Sequence, residues 1–565
     1  MFRLWTNARA EAIRVLLFVS AVMIRDSCEF PLPAKGNANH EKMHITEVIK
    51  LLATQHMPKM QVKKQKSSLA FWMKRVLEEC DRALVAFQPD PVHDLRVALR
   101  RCCSIADGVR AIDHDPAWRD MKKAGKRLFR MLGELRDVHV MQAWIHQLDR
   151  PGDPVTGTLL QFIGSSESQH QQDALQALQE FDRKQWESWS RSLPRRMARW
   201  RPGSLIFRHL ALERWTDAYR RHRQSIRKAS PAAFHRLRIT IKRFRYIVEN
   251  FLPLQHAAWS DDLKHIQDLL GDVHDLDVLC SVAAQANTFP DAEAHARWQE
   301  RIQEERAERI ELYTKKTAGK DSLWQLWRAE LPKRKEIESA ALLRLKLWAS
   351  LLDPDFRHSS RVSRFALQLY DGLEASGKLP GSNPRDRDIL EMAALLEDVG
   401  RAKVEKGHHK TSYRMIRNLT PPLGWPRQNL LATSIVARYH RGALPGTGQE
   451  AFGVLSAGQR SELLRLVAIL RLANAFDASR DGRIGRLELK GENGLLVIAA
   501  EGYSSRDNIS EAIAAGRHLL ETVYRRPVMV KSMRPSRTKR TSRKSGIVTL
   551  SRTTAARSQK PEAGS

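Results

Sequence analysis

Two stretches decide the fold: HDLRVALRR at residues 93–101 and HRLRITIKR at residues 235–243. Each opens on a histidine and alternates cationic with apolar side chains at helical spacing. His93, Arg96 and Arg100 fall at i, i+3 and i+7, on one helix face, while Leu95, Leu99, Cys102 and Val109 fall on another. In the second stretch His235, Arg238, Lys242 and Arg245 form the polar face, and Leu237, Ile241, Phe244, Val248 and Phe251 form the apolar stripe. Working outward, LGELRD at 132–137 is matched by LGDVHD at 270–275. Two matches in the same order at nearly equal offset make this an internal duplication of one helical unit.

The charge of the chain agrees with these faces. Its 565 residues carry 95 Lys+Arg against 64 Asp+Glu, a formal net charge of +31. Such an excess points to a polyanion or an anionic surface as partner. Hydrophobic residues at 42% exclude wholesale disorder, and the length asks for more than one domain. Seven Lys/Arg stand against Asp120 and Glu134 in 119–136, and twelve stand against Glu213 and Asp217 in 191–228. A solvated helix normally mixes charge signs, so faces with almost no acidic relief are read as the lining of an anion groove.

Other classes drop out. The five cysteines, at 28, 80, 102, 103 and 280, form no C-x-x-C, which argues against a disulfide framework or a thiolate zinc site. Neither G-x-x-x-x-G-K-[ST] nor G-x-G-x-x-G occurs. The apolar run at 15–24 is too short to span a bilayer, and Glu11 interrupts the basic flank of a secretion signal. Met43 offers an alternative start. Cytoplasmic residence is therefore expected.

The chain divides into a poorly structured segment over 1–60, a duplicated helical domain over 66–330, a linker over 331–354, a second helical domain over 355–530 and a disordered basic tail over 531–565. In the second domain the period changes to two near 486–499. RLELK, GENG and LLVIA there read as a β-hairpin, with a last helix over 508–524. The tail holds ten Lys/Arg and one Glu.

The repeated H-x-L-R-[VI]-x-x-[RK]-R pattern, followed each time by L-G-x-x-x-D, resembles the CHAD domain. The resemblance covers about residues 66–330. It implies a mostly α fold, two four-helix halves around a basic channel that binds inorganic polyphosphate, often on polyphosphate granules. Carried over residue by residue, the implied ligand-facing set is His93, Arg96, Arg100 and Arg101, then His235, Arg238, Lys242, Arg243 and Arg245. Lys122, Lys126, Arg127 and Arg130 add to the first half. At the later offset Arg127 corresponds to His265 and Arg130 to Asp268, so the groove is expected to be lopsided. The two histidines suit phosphate, since the negative field favours imidazolium; helix capping is the alternative.

The second domain spreads His and Asp over consecutive helices, as a buried divalent-metal site requires. The candidates are His358, Glu397, Asp398, His408, His409, His440 and Asp477. Their order resembles the HD-like C-terminal region of the exopolyphosphatase/guanosine pentaphosphate phosphohydrolase family, over about 355–530. Two departures matter. The His-Asp pair of HD domains reads Glu397-Asp398, and the actin-like catalytic domains of that family have no counterpart. The expectation is thus a polyphosphate-binding protein that needs no cofactor to bind, with a degenerate HD-like module that contacts the polymer or pairs two copies as a homodimer. The alternative is a metal-dependent phosphohydrolase of polyphosphate or a phosphorylated nucleotide. General nucleic-acid binding is the weakest reading, because few aromatics interleave the basic helices.

Overall fold

The computed structural model describes residues 68–285, 289, 291–377, 383–446, 448–453, 455–506 and 508–533. The expected unstructured segment 1–60, and the tail beyond Met533, lie outside these residues. The fold is mostly α-helical with one small sheet. Among the described residues no helix is long and apolar enough to cross a membrane.

The duplication is visible in the helices themselves. The first copy opens with α1 (Leu69–Val85), whose N-terminus is capped by the Ser68 hydroxyl accepting the Phe71 N–H at 3.2 Å. Next come α2 (Pro89–Val109) and α3 (Pro116–Leu148). The second copy repeats them as α8 (Pro231–Phe251) and α9 (Pro253–Gln285), after α7 (Leu205–Lys228). Both α2 and α8 have 21 residues, and both α3 and α9 have 33. Each of the four begins on a proline, whose fixed φ suits the first helical turn. The first copy is completed by α4 (Val155–Gly164), α5 (Glu167–Gln179) and α6 (Arg183–Met197). The second is completed by α10 (Ala292–Thr317) and α11 (Leu323–Ala329).

The apolar stripes read from the sequence form one continuous core. Leu95, Leu99, Cys102 and Val109 of α2 are fully buried with Leu237, Ile241, Phe244, Val248 and Phe251 of α8. The two helices cross so closely that a β-carbon on Gly108 would stand 2.2 Å from Phe251 Cε2. Two polar links tie the same crossing: Arg101 is ion-paired with Glu249, and Asn250 Nδ2 donates to Ser104 Oγ at 3.0 Å.

The second module begins earlier than the 331–354 linker allows. Helix α12 (Lys335–Leu352) occupies that stretch and buries Ala341, Leu345, Trp348 and Ala349 in the second core, because its apolar residues recur every three to four positions. It also ties the modules together. Arg344 donates to Glu213 Oε1 at 2.6 Å and to the Ala111 carbonyl at 3.3 Å, both in the first module. Helices α13 (Phe356–Ala375), α14 (Asp386–Leu396), α15 (His408–Arg417), α16 (Arg427–Arg438), α17 (Glu450–Gly453) and α18 (Ala457–Phe476) follow.

The expected hairpin is β1 (Leu487–Glu492) and β2 (Leu495–Glu501), antiparallel, with Leu487 opposite Ala500. Asn493 (φ 46°) and Gly494 (φ 83°) turn it, two consecutive left-handed residues as the favoured two-residue hairpin needs. After α19 (Ile509–Tyr524), residues Val528–Met533 form β3, parallel to β2. The hairpin is therefore one side of a three-stranded sheet, and the ordered module runs past 530. Val528 anchors β3 in the core, while its exposed neighbours give it the look of a tail.

Gly108→Ala should lower the thermal midpoint, by overpacking worth about 1–3 kcal/mol. Gly157→Ala, at a helical glycine with open space around it, should leave the midpoint unchanged or raise it by up to about 1 kcal/mol. Calorimetric melting of both variants checks the pair.

Candidate functional site

The crossing of α2 and α8 brings the two cationic faces near enough that Arg100 of the first copy acts on Lys242 of the second, with Asp137 near both faces; the groove is the space between these faces. Arg96 is half-buried with its guanidinium over the Phe129 ring, 5.0 Å from the centroid. Its Nη1 is buried and has no hydrogen-bond partner among the described residues, and Arg238 Nε is in the same condition. Gly133, from the duplicated LG-x-x-x-D motif, leaves room for Arg96: a β-carbon there would lie 3.1 Å from Nη1. The equivalent Gly271 meets nothing, so this reason holds for the first copy only.

The charges of the two copies act on one another. Burial lowers the Lys242 ammonium to about 8, helped by Arg238 from its own helix and Arg100 from the other copy, with Asp275 and Asp137 opposing. Burial raises the Asp275 carboxyl to about 6 against the pull of Arg238 and Lys242. It also raises Asp137 against Arg96, Arg238 and Lys242. His235 Nδ1 stands 3.2 Å from His274 Nδ1, and burial with the field of Arg238 depresses His274 to about 4.

The lining therefore differs from the single-sign face read in the sequence. Asp137 and Asp275 sit among the cations, because half-buried guanidinium and ammonium groups need nearby counter-charge. Four expected residues are held by carboxylates: Arg101 by Glu249, Lys122 by Asp107, Arg127 by Glu180 at 2.5 Å and Arg130 by Glu134 at 3.9 Å. The extra charge of the first half is thus largely neutralised, which reduces the expected lopsidedness. His93, Arg100, Lys126 and Arg243 are exposed, and Arg245 is half-buried. Sequence reasoning missed Asp137, Asp275, Arg136 and His274 as groove residues. The signal was present, since both aspartates end the repeated motif.

The second module gathers three of its seven candidate ligands. Ligand atoms of Asp398, His408 and His440 all lie within 4.8 Å of one another, and all three residues are buried. Asp398 follows α14, and His408 starts α15. The Ser412 hydroxyl accepts the Gly400 N–H at 2.9 Å and donates to the Glu397 carbonyl at 2.6 Å, which pins the turn to the helix. No side chain fits at Gly400, where a β-carbon would meet the His408 carbonyl at 2.3 Å.

Backbone carbonyls orient both imidazoles. His408 Nδ1 donates to the Glu405 carbonyl at 2.9 Å and His440 Nδ1 to the Ala437 carbonyl at 2.8 Å. Their Nε2 atoms then face Asp398 Oδ1 at 3.0 and 3.9 Å. A lone pair against a carboxylate is repulsive unless a proton or a cation lies between them. Accordingly, despite burial, His408, His440 and Arg480 hold the Asp398 carboxyl far below its usual range, and Asp398 in turn raises His408. Burial depresses His440 to about 3. One carboxylate and two imidazoles, each steered by a backbone carbonyl, are a donor set that fits a divalent transition ion.

The other four candidates do not join them. His358 Nδ1 is bonded to Asp477 Oδ2 at 2.6 Å, and Arg361 Nε closes the remaining Asp477 oxygen at 2.8 Å. Glu397 is pushed well above the carboxylate range by burial and by Asp398, and accepts from Asn474 at 2.8 Å. It is not one of the three residues whose ligand atoms converge. His409 flanks the trio, its ring 5.9 Å from that of His408, and burial with Arg438 depresses it to about 4. Arg480 bridges Asp355 at 2.7 Å and Asp398 at 3.0 Å. Guanidinium groups thus balance part of the carboxylate charge around the trio.

The groove should titrate. As pH rises through about 6, Asp275 gains negative charge, and through about 8 Lys242 loses positive charge. Affinity for a phosphate polyanion should therefore fall stepwise between pH 5 and pH 9 at constant ionic strength. Calorimetric titrations across that range check it, with Lys242→Met expected to lose the upper step.

Two family models match the chain, and their descriptions agree with the geometry. The CHAD domain matches residues 73–284, which contain the groove, and the Ppx/GppA phosphatase domain III matches residues 337–495, which contain the buried trio. No curated protein matches the chain. The pairing supports a polyphosphate-related function. Along the chain, a region that matches the CHAD domain is thus followed by one that matches the Ppx/GppA phosphatase domain III.

Proposed function

We propose that the protein binds inorganic polyphosphate in the groove where α2 and α8 cross, and through it associates with polyphosphate granules. The observation that carries this reading is the pair of buried, unpartnered guanidinium N–H groups on Arg96 and Arg238, one from each copy. A buried donor without an acceptor is costly, and a charge-assisted bond to a phosphate oxygen removes that cost. Arg100 and Lys242 add charge from both copies in the same place, so a linear polyanion meets cations on both walls. Binding is electrostatic and should weaken steeply with salt as counterions are released, by analogy with nucleic acids.

Arg96→Ala and Arg238→Ala should each weaken long-chain polyphosphate binding roughly tenfold or more, the loss expected for a charge-assisted hydrogen bond. Arg130→Ala, at a cation already paired on the surface, should change it little. Competition against duplex DNA and RNA at physiological salt checks the ligand class. Displacement of polyphosphate by nucleic acid at equal phosphate concentration would contradict the reading.

A second reading, metal-dependent phosphohydrolysis, is favoured by the convergence of Asp398, His408 and His440. A divalent ion held there would supply a Lewis acid and an activated water for attack on phosphorus. Asp398 and the two Nε2 atoms would hold it, and Arg480 would keep Asp398 ionised and in place. Zinc, manganese or cobalt should raise the thermal midpoint of the wild type but not of Asp398→Ala or His440→Ala. Metal-stimulated phosphate release should be lost in the same variants. Absence of both effects leaves a domain used for binding or assembly.

A further inference from the structure

At the His93 end of the groove lies a cavity of about 380 Å³ whose walls do not suit a bare phosphate chain. Part of the lining is apolar, from Phe87, Val92 and Leu135. Phosphate oxygens placed there would lose water and gain no hydrogen bond. Asp90 and Glu167 also line the cavity, and both repel a polyanion. Arg96 and Arg136 are the guanidinium groups of the lining.

The same walls suit a flat, polar, uncharged group joined to phosphates. Phe87 offers a ring face for stacking. Gln88 and Gln171 offer amides that both donate and accept. Glu167 already holds His139 at 3.1 Å and Gln142 at 3.3 Å, which leaves Asp90 as the carboxylate acceptor for an N–H of the ligand. Arg96 reaches both regions: it lines the cavity, and its Nη1 is a buried donor without a partner. The volume lies within the range of small-molecule sites.

We propose that this cavity binds the base and ribose of a nucleoside polyphosphate, whose phosphate chain runs onto Arg96 and Arg136 and into the groove. The proposal rests on the groove being a phosphate site and adds a second ligand class to it. The full-length protein should bind adenosine or guanosine 5′-tetraphosphate about tenfold more tightly than inorganic tetraphosphate, as one stacked base would give. Phe87→Ala should abolish that preference and leave the affinity for inorganic chains unchanged. Because Phe87 packs partly against the core, Gln171→Ala, at an exposed position, serves as the second variant. It should weaken only the nucleoside ligand, by about threefold. Equal affinity of the wild type for the two tetraphosphates, or equal weakening of both by the variants, would overturn the proposal. If nucleoside tetraphosphates bind with this preference and long inorganic chains do not, the polyphosphate reading falls and the nucleoside site stands. If long inorganic chains bind and the nucleoside adds nothing, the nucleoside site falls and the polyphosphate groove stands.

Discussion

Like charges buried together set the terms for the first module. The crossing of α2 and α8 sets the half-buried Arg96 of one copy and Lys242 of the other within the field of the exposed Arg100, and Lys242 within that of Arg238. Burial is the main reason that Lys242 falls to about 8. The fold relieves part of this with Asp137 and Asp275, one from each copy, and their own burial keeps them from compensating fully. The groove is thus left short of negative charge, and the buried, unpartnered N–H groups of Arg96 and Arg238, one from each copy, lie where it is short. On the proposed reading, a phosphate chain would supply that charge along its whole length. The close helix crossing at Gly108 and Phe251 holds the two helices together.

The second module meets the opposite problem. Asp355, Asp398 and Asp477 belong to one acidic neighbourhood, and arginines relieve most of it: Arg480 serves Asp355 and Asp398, and Arg361 serves Asp477. The His358–Asp477 pair is closed by this arrangement. What stays open to a cation is Asp398 with the Nε2 atoms of His408 and His440. The domain holds a small, oriented ligand set beside two arginine clamps.

Much of the fold is legible in the sequence because the duplication is recorded twice, in the His-led helices and in the LG-x-x-x-D motifs, and helical periodicity marks both cores. Strand β3 is not legible, since Lys531 and Ser532 hide a short strand held by Val528. Helix α12 reads as a linker because its apolar stripe follows a Lys/Arg-rich stretch. In the groove, spacing identifies Arg96, Arg100, Arg238 and Lys242. It does not show which cations are spent on local carboxylates, because Arg101–Glu249 and Arg127–Glu180 join residues far apart in the chain. The seven metal candidates read as one set along the chain. Only the packing of α14, α15 and α16 reveals that three of them converge and that Glu397, though buried, is not among them.

The central claim is that a phosphate chain supplies the negative charge missing around Lys242 and Asp275. Proton exchange on binding tests this most directly, through calorimetric titration of polyphosphate in buffers of different ionisation enthalpy. A polyanion in the groove must raise the pKa of both groups, so the complex should take up protons near pH 8 and again near pH 6. The uptake near pH 8 should vanish in Lys242→Met. Tight binding with no proton uptake at either pH would place the ligand elsewhere and contradict the account.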